Sequence, residues 1–145
     1  MKKQPILVSA CLLGVCCRYD GDSKPDQRVI NLREKYLLVP ICPEVDGGLP
    51  TPRTPSERVG DKVLMRDGTD VTHNYNAGAE AALCKAQTFG CKIAILKARS
   101  PSCGSGRIYD GSFTGTLIDG DGVCAQLLKK NGISIYTEDE IDTLS

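Results

Sequence analysis

The sequence has no tryptophan, and its 145 residues hold one histidine, two phenylalanines and two methionines. Aromatics make up 5% of the chain, which poorly supplies the stacking platforms of a single-stranded nucleic-acid binder. Charge of either sign is in no excess, since 18 Lys and Arg stand against 18 Asp and Glu. A nucleic-acid coat or an anionic-surface binder needs a basic surplus, and none is present. Long apolar runs are missing too, and no window approaches the ~18 apolar residues of a membrane helix. Neither nucleic acid nor membrane is expected as a partner. The first apolar run, Ile6-Leu7-Val8, is shorter than the roughly 7–15 residues of a secretory signal core. The expected compartment is the cytoplasm, where thiols stay reduced.

What remains is ordinary globular composition, 41% hydrophobic and 25% charged. A chain of this length buries roughly two thirds of its extended surface and folds without staples. We expect a single domain over residues 1–145. The eight cysteines are therefore core fillers, ligands or reactive thiols rather than a disulfide frame.

Residues 6–9 form a short apolar run that predicts a buried first strand. A weak helical pattern covers 27–35, and Tyr36-Leu37-Leu38-Val39-Pro40-Ile41 predicts a second strand. Gly47, Gly48, Pro50, Pro52 and Pro55 predict a loop over 46–60. Residues 62–71 read as a hairpin turning at Arg66-Asp67-Gly68-Thr69. An Ala-rich helix is expected over 75–89, capped by Thr72 or Asn74 and ended by Gly90. Ile93-Ala94-Ile95-Leu96 is a third strand, 123–130 a helix and 133–136 a last strand. Thr137 with Glu140 resembles a capping box. The pattern is an α/β fold in three layers, a mostly parallel sheet with helices on both faces.

In such a sheet the site lies at the carboxyl ends of the strands. Cys11, Cys42 and Cys103 each follow a different expected strand, in loops bounded by Gly or Pro. Packing does not explain three loop thiols at one edge. Cys84 and Cys124 lie among apolar helix residues and read as core fillers, and Cys91 as structural. Cys16 and Cys17 are close enough to Cys11 to be an accessory thiol or a fourth ligand. His73 reads as a solvated neighbour of a helix cap, so a metal site here is all-thiolate. Thiolates suit zinc or a cubane iron–sulfur cluster, and a cluster held by three leaves one iron open.

Glu44, two residues past Cys42, is the expected general base; its plainer role is a salt bridge to Arg53 or Arg58. Ser100 and Ser102 flank Pro101 beside Cys103, and at least one hydroxyl is expected to face the cavity. Arg18, Arg53, Lys97, Arg99 and Arg107 fall near the same loops and make the site locally positive. The acidic Glu138, Asp139, Glu140 and Asp142 bunch at the carboxyl end. Gly104-Ser105-Gly106 is a weak anion cradle, since it lacks the full glycine fingerprint.

Ser9-Ala10-Cys11-Leu12-Leu13-Gly14 followed by Cys17-Arg18-Tyr19-Asp20-Gly21 resembles the opening of the thiouracil desulfurase-like family. Cys42-Pro43-Glu44, Gly48-Leu49-Pro50-Thr51-Pro52-Arg53 and Ser100-Pro101-Ser102-Cys103-Gly104 resemble its remaining signatures, in order and over nearly the whole chain. The resemblance implies a three-layer α/β fold and a 4Fe-4S cluster held by Cys11, Cys42 and Cys103. It implies removal of sulfur from a thiolated pyrimidine without net redox change. The open iron then takes the sulfur, Glu44 activates water, and Ser100 or Ser102 assists. Arg53 and Asp20 are the expected substrate-binding residues, and Asp20 is the reserve carboxylate should Glu44 not be the base. The expected partner is a small thiolated base, and aerobic handling is expected to empty the site or fill it with zinc. Two other readings use the same thiols: a zinc-binding structural or regulatory module, and a metal-free thiol protein in sulfur or persulfide traffic.

Overall fold

Ile6, Leu7 and Val8 can form an unbroken apolar strand only if both of its faces are covered. The computed structural model, which describes residues 3–143, covers them fully, and all three are 0% exposed. The elements begin with β1 (Gln4–Ser9), α1 (Gln27–Asn31), β2 (Tyr36–Ile41) and α2 (Pro43–Asp46). A hairpin of β3 (Ser56–Val59) and β4 (Lys62–Met65) leads to α3 (Thr72–Phe89) and β5 (Ile93–Leu96). A second hairpin, β6 (Arg107–Tyr109) and β7 (Leu117–Asp119), precedes α4 (Val123–Lys130) and β8 (Ser134–Thr137).

The central sheet is fully parallel in the order β2-β1-β5-β8. Successive residues of β1 point to opposite faces. Leu7 joins Ala79, Ala82, Ala86, Ala125 and Leu128, so α3 and α4 cover one face. Ile6 and Val8 join Leu12, Val29 and Ile141 on the other, beneath α1 and two 3-10 turns. The expected three layers are present. Because β2 and β5 lie on opposite sides of β1, the order of connection reverses there. That reversal opens a crevice beyond the carboxyl ends of β1 and β5.

Several local expectations need correction. The loop expected over 46–60 contains β3, and β4 pairs with it through the two-residue turn Gly60-Asp61. The turn at Arg66 to Thr69 exists, with the Met65 N–H donating to Thr69 O at 2.8 Å, but its return is one bridge between Leu64 and Asp70. Helix α3 begins at Thr72, and neither Thr72 nor Asn74 caps it; the Thr72 N–H donates to Asp70 Oδ1 at 2.9 Å. The last strand lies one residue later than expected. Gly90 does end α3, in the left-handed conformation that glycine tolerates. The box at Thr137 forms, with its N–H donating to Glu140 Oε1 at 3.0 Å. No helix among the described residues is long and apolar enough to cross a membrane.

Candidate active site

The loops that leave β1, β2 and β5 share one wall-to-wall cavity of about 430 Å³. Cys11 lines it from the 3-10 turn after β1, Cys42 from the cap of α2, and Cys103 from the loop after β5. The thiols are electrostatic neighbours. Burial pushes Cys11 up to about 11, with the Lys97 cation opposing and Cys42 adding to the rise. Burial also drives Cys103 well up, and the charges of Cys11 and Glu44 contribute to it. Cys42 is lowered from the usual thiol range, chiefly by the adjoining Cys17 thiol, and Cys17 is raised in turn; the Cys42 thiol donates to Cys17 O at 3.7 Å.

Helix α2 is four residues long, and it exists because Pro43 pre-sets its first turn. It also sits unusually close to α3. A Cβ on Gly78 would lie 1.8 Å from Pro43 O, and one on Gly47 would lie 2.0 Å from Asn74 O. Glycine at both positions lets the backbones touch, which fixes Glu44 beside the cavity. Glu44 Oε2 accepts from Arg53 Nη2 at 2.5 Å, and its Oε1 accepts from the Tyr75 hydroxyl. Of the two expected salt-bridge partners, Arg53 is the one used. Arg58 turns away and donates to Gly60 O and Asp121 O.

The Arg53 side chain is 2% exposed, and both terminal nitrogens are committed. Nη1 donates to Pro50 O and Thr51 Oγ1, while Nη2 also donates to Cys17 O. Ser100 Oγ accepts from the N–H groups of Ser102 and Cys103, at 3.1 Å each, and so shapes the Cys103 loop. Ser102 is 1% exposed, its Oγ 3.9 Å from Cys103 Sγ. Both serines line the cavity.

Asp20 does not join them. It lies on an exposed turn, where its carboxylate accepts from Arg18 and from the Asp22 N–H. Arg107 is also outside the cavity lining, in an exposed pair with Asp119. The positive character is weaker than expected because the acidic carboxyl end folds back: Glu138 pairs with Lys97 at 2.8 Å and Asp139 with Arg99 at 3.5 Å. The Gly106 N–H donates to Asp121 Oδ1, so that donor of the expected anion cradle is taken. Cys84 is exposed, contrary to its reading as a core filler, whereas Cys124 and Cys91 are buried in the core. His73 is exposed on the first turn of α3.

Tyr75, Ser9 and Glu57 are among the cavity residues that the sequence does not single out. Tyr75 is the inward end of the Tyr75, Ala79, Ala82, Ala86 face, so helical spacing marked its burial but not its partner. Ser9 closes β1, and its Oγ accepts the Lys97 N–H at 3.0 Å. Glu57 is 9% exposed in β3 and faces the same cavity.

Four thiols line the cavity, Cys11, Cys42 and Cys103 from three strand ends and the buried Cys17 beside them, whereas Cys16 is exposed and outside the lining; together they are donors that could hold a thiolate-ligated cluster. Among the described residues no three His, Cys, Asp or Glu side chains are grouped to hold a single metal ion.

A family model described as 2-thiouracil desulfurase matches residues 6–140. The uncharacterized protein YbbK of Bacillus subtilis (strain 168) is 40% identical over 149 residues, covering 96% of this chain and 99% of that protein. The solved structure of TudS, a [4Fe-4S]-dependent thiouracil desulfidase, is 46% identical with a TM-score of 0.93, over 98% of this chain and 95% of its own.

Proposed function

Because the chain belongs to the 2-thiouracil desulfurase family, we propose that it hydrolyses the C–S bond of a small thiolated heterocycle such as thiouracil. Water supplies the oxygen, sulfur leaves as hydrogen sulfide, and no electron changes hands. The observation that supports this most is the convergence of Cys11, Cys42 and Cys103 on the cavity that also holds Glu44.

Cys11, Cys42 and Cys103 would hold a 4Fe-4S cluster, whose metal would favour the thiolate form of Cys11 and Cys103, the two that burial raises. When bound, the cluster supplies an open iron as Lewis acid toward the substrate sulfur. Glu44 is the base. Arg53 and Tyr75 hold its carboxylate from two sides, and a carboxylate has about four acceptor positions, so lone pairs remain for a water proton. Ser100 is better placed than Ser102 to meet the substrate. Its oxygen accepts two loop N–H groups, which leaves the hydroxyl proton free to donate. Ser102, sealed beside Cys103, supports the ligand loop. Arg53 acts on the substrate through Glu44, and Asp20, outside the cavity lining, takes no part. The domain works in the cytoplasm on a free small molecule.

Anaerobic purification with iron and sulfide reconstitution tests the proposal, followed by incubation with 2-thiouracil without reductant. The expected result is a brown, iron-loaded protein that releases uracil and sulfide in equal amounts. A colourless zinc-loaded protein would favour the structural module. A protein that binds no metal would favour thiol chemistry, and an iron-loaded protein that releases no sulfide would end the desulfurase reading.

A further inference from the structure

One large apolar ring in the cavity has no task in this scheme. Phe113 lines the cavity from the tip of the hairpin formed by β6 and β7. It is half-buried and belongs to none of the three apolar clusters, so it is not there to fill the core. Its neighbours on the tip are Asp110, Gly111, Ser112, Thr114 and Gly115, all small or polar.

We infer that Phe113 is the platform on which the planar ring of the substrate stacks. The inference rests on the thiolated-heterocycle reading above. A thiolated pyrimidine offers few polar handles but two flat faces, and aromatic stacking holds such a face whatever its substituents.

The structure maintains this ring at a cost. The Phe113 backbone has φ +58, in a region that bulky side chains rarely adopt. The compensating group is the buried carboxylate of Glu57. Its Oε1 accepts the Gly111 N–H at 2.9 Å and the Phe113 N–H at 3.1 Å. Gly111 is pressed so closely on β3 that a Cβ there would lie 2.3 Å from Val59 Cγ2. Hydroxyls of Ser112, Thr114 and Thr116 link along the tip at 2.6 and 2.9 Å. A strained residue held this firmly has been placed rather than left to fall. Arg66 completes the placement, with its guanidinium 5.5 Å over the ring centroid. Tyr19 and Tyr109 line the same cavity, yet neither occupies a backbone position that must be held against strain.

Cluster-reconstituted wild type, Phe113→Ala, Phe113→Leu and Phe113→Trp are compared anaerobically. KM and kcat are measured with 2-thiouracil, and Kd for uracil by equilibrium dialysis. The Ala and Leu variants are expected to raise KM and Kd roughly tenfold, within the range for losing one stacked base. Their kcat is expected to change far less, and Phe113→Trp to behave as wild type. Unchanged KM and Kd in Phe113→Ala would overturn the inference, as would full retention by Phe113→Leu, which keeps bulk without an aromatic face. Should the wild type bind uracil but release no sulfide, the catalytic reading fails, and the dialysis series still decides the platform.

Discussion

Gly78→Ala sets two physical effects against each other. Within a helix, alanine is worth about 1 kcal/mol over glycine, so propensity alone predicts a more stable protein. Packing predicts the reverse. The new Cβ would sit 1.8 Å from Pro43 O and 2.6 Å from Pro43 C, whereas real contacts do not fall under 3.0 Å. Helix α2 must therefore retreat by something over ~1 Å, and both atoms it meets are backbone, which no side-chain rotation can relieve. Overpacking of this kind costs about 1–3 kcal/mol. The retreat also pulls Glu44 from Arg53 and Tyr75, whose hydrogen bonds are worth about 1–2 kcal/mol more where a charge is involved. The net loss is about 2 kcal/mol, or a Tm lower by roughly 4–8 °C for a domain of this size. Misplacing a catalytic group by ~1 Å costs about a hundredfold in turnover. Calorimetry and 2-thiouracil turnover read both quantities. Asn76→Ala, on the exposed side of the same helix, isolates propensity and is expected to leave both near or slightly above wild type. A Gly78→Ala protein that melts higher and turns over normally would refute the claim that contact with α3 positions Glu44.

The other expectations follow from single contacts. Glu44→Gln is expected to keep a normal iron content while turnover falls by roughly a hundredfold, the common share of general-base catalysis. Serine in place of Cys11, Cys42 or Cys103 is expected to abolish iron loading; Cys124→Ala keeps iron and loses about 1–2 kcal/mol of stability by denaturant titration, and exposed Cys84→Ala changes neither. Tyr75→Phe removes one of the two donors that orient Glu44, so turnover is expected to fall with iron content unchanged, whereas equal turnover would leave Arg53 as the sole positioning group. Asp70, lowered below 3.8 by its bonds to Thr72, stabilises the start of α3 only while ionised. Asp70→Ala is therefore expected to melt below wild type at neutral pH, with the gap closing as pH falls through the depressed value.

The elements that sequence periodicity located are those in which one pattern dominates. Strands β1, β2 and β5 are short apolar runs ended by small residues, proline or charge, and α4 ends in two lysines and Asn131-Gly132. The hairpin of β3 and β4 was misplaced because two turn signals compete within ten residues. Gly60-Asp61 and Asp67-Gly68 are both good two-residue turns, and the proline-rich stretch before Ser56 masked the strand that the first one closes. Strands β6 and β7 are three residues each, too short to show a period among glycine and hydroxyl residues. Cys84 was misread for a simpler reason. The buried face of α3 runs through Ala79, Ala82 and Ala86, and at 100° per residue position 84 falls opposite Ala82.

The placement of the three thiols was legible because it is a topological fact. In a parallel sheet every strand ends at the same edge, so a cysteine just past each of three strands needs no further information to share a site. The chemistry of Glu44 depends on something else. Its two partners come from nine and 31 residues away; the sequence offers Arg53 as one of two candidate guanidiniums, but nothing local marks the Tyr75 phenol for the same carboxylate. What makes those contacts possible is the approach of α2 to α3, and its sign in the sequence is two glycines. Gly47 reads as a loop residue and Gly78 as a helix-weakening one, at a cost of about 1 kcal/mol that propensity alone cannot justify. Only the backbone contact at each position accounts for that cost. A glycine inside an otherwise strong helical pattern therefore points to a close neighbour, and the neighbour here is the turn that carries Glu44.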